Sequence, residues 1–194
     1  MYRRLPNWVL GFHGTDATTV KKILCNPKGH LDPSENDYDW LGSGVYFWEN
    51  DPERALKFAK ERMKWLGIRK KPAVIGAVID LGLCLNLFDQ VALAELNSAH
   101  KDFDFDMQLL GVPMPKNEGG KDSLFRRLDC AVIEHVHRLR AKSGKVAAYQ
   151  TVRSGFLEGG ALYEGSGFNA KNHIQIAVRN LSCIKGYFLP RTRG

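Results

Sequence analysis

The β-forming segments of this chain lie at its two ends, and that separation constrains the fold more than any other feature. Three of them come early: "WVLGFHGT" from Trp8, "GVYFWE" from Gly44 and "AVIGAVIDL" from Ala73. Two more, "IQIAVRN" from Ile174 and "CIKGYFL" from Cys183, come at the far end. All five are rich in Val, Ile, Phe, Tyr or Trp, the side chains that suit a pleated, half-buried surface. The stretch between, 88–142, reads mostly as helix, and "SLFRRLDCAVIEHVHRLRAK" sets Leu124, Leu128, Val132, His135 and Leu139 near helical spacing. A sheet assembled from both ends around inserted helices is an α+β fold whose pairing is non-local and slow to form. A chain of 194 residues, 44% hydrophobic and 25% charged, can bury one sizeable core, so a single domain over 1–194 is expected.

Helix boundaries are written locally. In "DATTVKKILCN" Asp16 is placed to cap a helix whose apolar face is Val20, Ile23 and Leu24. "DPERALKFAKERMKWLG" carries a cap at Asp51, Pro52 at the first helical position and Gly67 as the stop. Between these helices, "NPKGHLDPSENDYDWLGSG" is a long polar loop, and loops of that length inside compact domains are often functional. Apolar runs are broken by Asp, Gly and Asn, which excludes a membrane span. The stretch after Arg3 and Arg4 is too short for a signal peptide. Cys25, Cys84, Cys130 and Cys183 show no metal-ligand spacing, and apolar neighbours make buried, inert thiols the expectation. Cys25 and His30 lack the second half of a zinc site, so no metal is expected. Scattered thiols fit a cytoplasmic setting.

Three stretches carry chemistry. "FHGT" puts His13, Gly14 and Thr15 where a strand ends and a helix begins. "LGSGVYFWENDPERALKFA" sets Tyr46 on a short strand that runs into a helix, and "NHIQIAVRNLSCIKGYF" sets His173 and Gln175 on a strand near the C-terminus. In this order they resemble the three-part signature of the diphtheria-toxin-like and poly(ADP-ribose) polymerase-like ADP-ribosyltransferases. That resemblance implies a split β-sandwich of two antiparallel sheets with inserted helices and NAD, the substrate, in the cleft between them. It implies that the Gly14 backbone clamps the nicotinamide carboxamide and that His13, beside Thr15, holds the adenosine ribose. Tyr46 would then lie along the nicotinamide ring, with Phe58 on the following helix, in competition with Lys57, closing the slot. Loss of the Tyr46 hydroxyl alone is expected to leave stability nearly unchanged.

Gln175 stands where the family has a glutamate. A carboxamide can hydrogen-bond the nicotinamide ribose but cannot act as a base; in the family chain elongation goes with the glutamate, so the resemblance implies mono-ADP-ribosyl transfer here. Glu158 and Glu164, in the Gly-rich stretch before the strand, are the alternative carboxylates, against a plain reading as solvated loop residues. His173 shares a strand face with Gln175 and can bind or deprotonate an acceptor group, against a plain reading as an edge-strand polar residue. A formal net charge of +7, with clusters at Arg69–Lys71, Arg138–Lys145 and the "PRTRG" end, leans the acceptor toward nucleic acid, RNA in particular. Small members with this layout look like toxins or phage-defence effectors, which implies an antitoxin partner. A protein-modifying transferase, an NAD glycohydrolase and a silent NAD-binding module remain open.

Overall fold

A computed structural model of the chain describes residues 8–120 and 122–191; Arg3, Arg4 and positions 192–194 of the basic C-terminal end lie outside the described residues. Strand β1 (Trp8–Asp16) pairs along its whole length with β3 (Pro72–Asp80), from Trp8 opposite Asp80 to Asp16 opposite Pro72. Beyond β3 lies β9 (Ile184–Phe188). On the other side of β1 come β2 (Val45–Glu49), β8 (His173–Val178), β7 (Thr151–Phe156) and the edge strand β4 (Cys84–Asn86). The order is therefore β4-β7-β8-β2-β1-β3-β9, antiparallel throughout except for the parallel β4–β7 pair. The α+β class stands. The strands form one continuous run of seven rather than two separate antiparallel sheets, and a second sheet holds only β5 (Asn117–Glu118) and β6 (Phe125–Arg126).

That run is thinnest at its middle. β1 and β2 register only at Gly11 opposite Glu49 and Phe12 opposite Trp48, after which the two strands part. The sequence reading missed β4 and β7. β4 is three residues long, and β7, "TVRSGF", has Gly155 next to its last residue, where the missing side chain makes room for the Phe88 ring.

Helix α1 (Ala17–Leu24) is capped as expected, with Asp16 Oδ1 accepting from the backbone N–H of Thr18 and Thr19. Val20 and Ile23 are buried, whereas Leu24 is exposed. In α2 (Pro52–Trp65) the Asp51 carboxylate accepts from Arg54 N, and Gly67 follows the helix at φ 66°. The long helical middle is two helices, α3 (Gln90–Leu110) and α4 (Arg127–Ser143). α4 begins later than its apolar spacing predicts, because Phe125 and Arg126 pair with β5 and leave Leu124 exposed. Among the described residues no helix is long and apolar enough to cross a membrane. The thiols also need correction: Cys25 is exposed and Cys84 half-buried, while Cys130 and Cys183 are buried.

Packing divides the sheet by face. One face, with Phe47, Ile75, Ile79, Ile176 and Val178, is covered by α1 through Val20 and Ile23. On the opposite face α2 sits over β1 and β2, with Ala55 and Phe58 against Phe12 and Trp48. Helices α3 and α4 cover Val152, Phe156 and Ala177 on that same face. β8 lies between β2, on which α2 packs, and β7, on which α3 and α4 pack.

Candidate active site

The strands that carry the three motifs, β1, β2 and β8, are neighbours at the centre of the sheet although their residues are far apart in the chain. Where β1 leaves β2 after Phe12, His13 bridges the gap: its Nδ1 lies 2.7 Å from the Tyr46 carbonyl oxygen. A carbonyl can only accept, so Nδ1 carries the proton and Nε2 is left with a lone pair. Burial pushes the His13 imidazole below its ordinary value; the bond to Tyr46 opposes this and Arg62 adds to it. The ring is neutral at neutral pH.

Strand alternation sends His13 to the α1 face, edge-on to Phe47 at 6.0 Å, whereas Tyr46, Trp48 and Gln175 project from the opposite face. His13 therefore meets Tyr46 only through the Tyr46 backbone carbonyl, and their side chains lie on opposite faces of the sheet. Gly14 permits close packing: a Cβ there would collide with the Ala55 carbonyl oxygen, so the glycine lets α2 lie directly on β1. Gly14 and Thr15 also border a cavity of about 70 Å³ shared with Arg62 and Lys70.

Tyr46 is held at both ends. Its ring packs in the α3–α4 core, its hydroxyl donates to Gly42 O at 2.6 Å and accepts from Leu41 N at 2.8 Å. Burial raises its phenol well above the ordinary value. The same loop is pinned by Glu134, which accepts from Ser43 N at 2.7 Å and from both terminal nitrogens of Arg179 at 2.6 and 3.0 Å. These two bonds to the 41–42 backbone argue against the expectation that the hydroxyl is dispensable for stability. Phe58 packs on Trp48 with ring centroids 4.8 Å apart, and Lys57 is exposed, so the aromatic and not the lysine faces the site.

Gln175 is buried, opposite Trp48 on β2 and Ser154 on β7, and its carboxamide has no hydrogen-bond partner among the described residues. Beside it lies a buried ion pair: Arg54 Nη2 donates to Glu158 Oε2 at 2.6 Å, with the two side chains 7% and 8% exposed. Glu158 is thus a structural partner of α2 rather than a solvated loop carboxylate. Glu164 is exposed, out on the 157–172 loop, and the structure does not bring it to the site. His173 shares the Gln175 face, as strand alternation requires, but its side chain is fully enclosed rather than at an edge. Its Nδ1 donates to Lys171 O at 2.6 Å, and Glu158 Oε2 stands 3.7 Å from the same atom. Burial depresses its pKa; the bond to Lys171 O opposes this, Arg54 adds to it and Glu158 opposes it.

Four buried polar atoms near Gln175 have no hydrogen-bond partner among the described residues: Trp48 Nε1, Arg54 Nε and Nη1, and His173 Nε2, although Arg54 Nη1 stands 3.8 Å from Glu61 Oε2. Their cohesion is clear from the contacts, with the Arg54 guanidinium 5.6 Å from the Trp48 ring and the Trp48 and His173 rings 6.3 Å apart. Buried polar groups are almost always satisfied, so this cluster is an exception that the fold's own contacts do not account for. It offers donors from Trp48 and Arg54, an acceptor at His173 Nε2 and both kinds from Gln175. Sequence reasoning missed Arg54 and Trp48. The available signal was an arginine in the first turn of α2, where the helix dipole disfavours a cation.

Away from this site Asp102, Asp106 and His135 lie together between α3 and α4, and His135 Nε2 is taken by Asp102 at 2.7 Å. Comparison of the chain with protein-family models, with curated proteins and with solved structures finds no match in any of the three.

Proposed function

We propose that the protein is a mono-ADP-ribosyltransferase that moves ADP-ribose from NAD to an acceptor and releases nicotinamide. The observation that carries this reading is the adjacency of the three motif strands, with β1 leaving β2 just after Phe12, His13 Nδ1 bonded to the Tyr46 carbonyl and Gln175 on the next strand. A split sheet with NAD at the split is what the resemblance of the three motifs implies, and the two-pair junction is the natural place for it. On this reading His13 Nε2 accepts from a ribose hydroxyl, and Gly14 and Thr15 form one lip of the cleft. Gln175 hydrogen-bonds the nicotinamide ribose as a neutral partner. The resemblance also places the chain with small toxin or phage-defence members, for which an antitoxin is the expected protein partner.

The bond that breaks joins the ribose anomeric carbon to the pyridinium nitrogen. Its electron pair stays on that nitrogen, so nicotinamide leaves neutral. The new bond runs from an acceptor heteroatom to the same carbon, and the acceptor's proton goes to a base. Gln175 cannot take it, whereas His173 Nε2 can, with Glu158 at 3.7 Å stabilising the imidazolium that results. A buried neutral histidine backed by a carboxylate supplies the function that the glutamine lacks.

The test uses NAD labelled separately in its nicotinamide and adenylate parts, incubated with the protein and total cellular RNA and protein. Nicotinamide release with adenylate label sensitive to ribonuclease is the expected result. Gln175→Ala removes a contact that strengthens in the transition state, so it should lower the release rate at least tenfold while NAD affinity changes less. Release without macromolecular label would identify a glycohydrolase, and no release at all would overturn the enzymatic reading.

A further inference from the structure

A cavity of about 500 Å³ opens between α3, α4 and β7. It lies on the same sheet face as Gln175, and Ser154 on its wall is the direct cross-strand partner of Gln175. Directly opposed residues on antiparallel strands are only about 5 Å apart at Cα. Anything bound in the cavity is therefore one strand from the residue that this reading places at the ribose.

Its lining has a distinctive chemistry. The floor is aliphatic, with Leu96, Val132 and Ile133 among its residues. One wall groups Arg126 with two aromatic rings: the guanidinium lies 4.4 Å from the Trp40 ring and 5.1 Å from Phe156, and those two rings are 4.5 Å apart and tilted by 58°. Arg126 is fixed in place by Asp129 at 3.2 Å and the Asp122 carbonyl at 3.4 Å, and its buried Nε has no partner. Asn97 and Ser154 add a carboxamide and a hydroxyl to the lining, and His100 and Asp129 add an imidazole and a carboxylate. Aromatic rings and guanidinium planes that stack flat heterocycles, joined to a few neutral hydrogen-bonding groups at their edge, are the means by which proteins hold unpaired nucleobases.

We propose that this cavity seats a nucleobase of the acceptor, an unpaired base of an RNA strand drawn out of its stack and placed beside Gln175. The proposal rests on the ADP-ribosyl transfer reading for its consequence, but base binding itself does not require NAD. The Trp40–Arg126 wall makes the stacking contact, and Asn97 and Ser154 read the base edge. A base seated there presents its exocyclic or ring nitrogen toward Gln175 and His173 on β8.

Binding is tested with AMP, GMP, CMP and UMP on the full-length protein, followed by the NMR signals of the Trp40 indole N–H and the Ser154 and Gly155 amides. Ribose 5-phosphate is the control that lacks a base. At least one nucleotide should shift all three signals in a saturable way, and ribose 5-phosphate should shift none. Asn97→Trp, a larger side chain at an exposed position of the lining, should weaken that nucleotide at least tenfold. Arg126→Lys keeps the charge but loses the plane, and should weaken it several-fold. No shift at millimolar nucleotide, equal shifts from ribose 5-phosphate, or an unchanged Kd in both variants would overturn the proposal. Failure of the transfer reading would show separately, as absent nicotinamide release with nucleotide binding intact.

Discussion

Burying Arg54 and Glu158 together removes two charges from water, and their mutual attraction offsets that cost only while both are present. Glu158→Ala therefore leaves the buried Arg54 cation with only the more distant and partly exposed Glu61, 3.8 Å away, and should destabilise the protein toward the lower end of about 3–5 kcal/mol in urea unfolding. Arg54→Met with Glu158→Leu removes both charges and should come much closer to the unmodified stability. If single and double variants lost the same amount, the pair would be passive. The buried histidines set a second residue-scale behaviour. His137 is held down to about 4, chiefly by burial with Arg179 adding to it, and His13 and His173 are depressed as well. A histidine whose folded pKa lies below its unfolded value of about 6.5 takes up its proton first in the unfolded chain. Stability should accordingly fall as pH drops from 6.5 toward 4, and His137→Gln should flatten part of that fall in Tm. Burial works against the Glu134 carboxylate, yet Arg179 and Ser43 hold it down to about 2, so its contribution is lost only in more acid solution, between 4.5 and about 2. At this scale His13, Gly14, Tyr46 and Gln175 were legible because each stands in a motif. Arg54, Trp48 and the burial of Glu158 were not, since their importance comes from contacts made across more than a hundred residues of chain.

Elements explain why some motif glycines and tyrosines cannot be read as ligand contacts alone. α2 lies on β1 through small residues, Ala55 and Ala59 against Gly14. Gly14→Ala forces the helix off the strand and should cost about 1–3 kcal/mol, the usual range for overpacking a tight interface. Tyr46→Phe should cost about 1–3 kcal/mol, because it deletes the hydroxyl that ties Leu41 and Gly42 to β2 and leaves buried backbone groups unpaired. Thermal melts of both variants without NAD check this, and a Tyr46→Phe protein as stable as the parent would show that the loop finds other partners. The helices α1 and α2 were legible from their caps and stops, which act within a few residues. β7 was not, because its Ser-Gly ending has low strand propensity and only pairing with β8 makes it a strand. The start of α4 shifted for the same kind of reason: β6 pairs with β5 and overrides local periodicity. The joining of all seven strands into one run is also a property of pairing, and no local pattern announces it.

Charge is a property of the whole molecule, and the fold decides how much of the +7 remains available to a partner. Lys70 is tied to Asp16, and Arg140 is bound to Glu95 and the Ala147 carbonyl while it lies 4.0 Å over the Tyr149 ring. Arg69, Lys71, Lys142 and Lys145 are exposed and form no ion pair among the described residues. If these residues make the phosphate contacts of an RNA acceptor, a single strand loses affinity with a logarithmic slope of about −0.7 for each phosphate neutralised, or about −2.8 for four. Raising salt from about 50 to about 200 mM should then raise the apparent KM for RNA roughly fifty-fold. Nicotinamide release measured without acceptor should hardly change, because the surroundings of the buried Gln175 are poorly screened. Replacing the four basic residues by Gln should flatten the salt dependence of RNA labelling and leave acceptor-free release as it was. The decisive comparison is the slope in the two proteins. A steep slope that survives the four substitutions would move the RNA path elsewhere on the surface. Label that resists ribonuclease, vanishes with protease and ignores salt would make the acceptor a protein and the positive surface a matter of solubility.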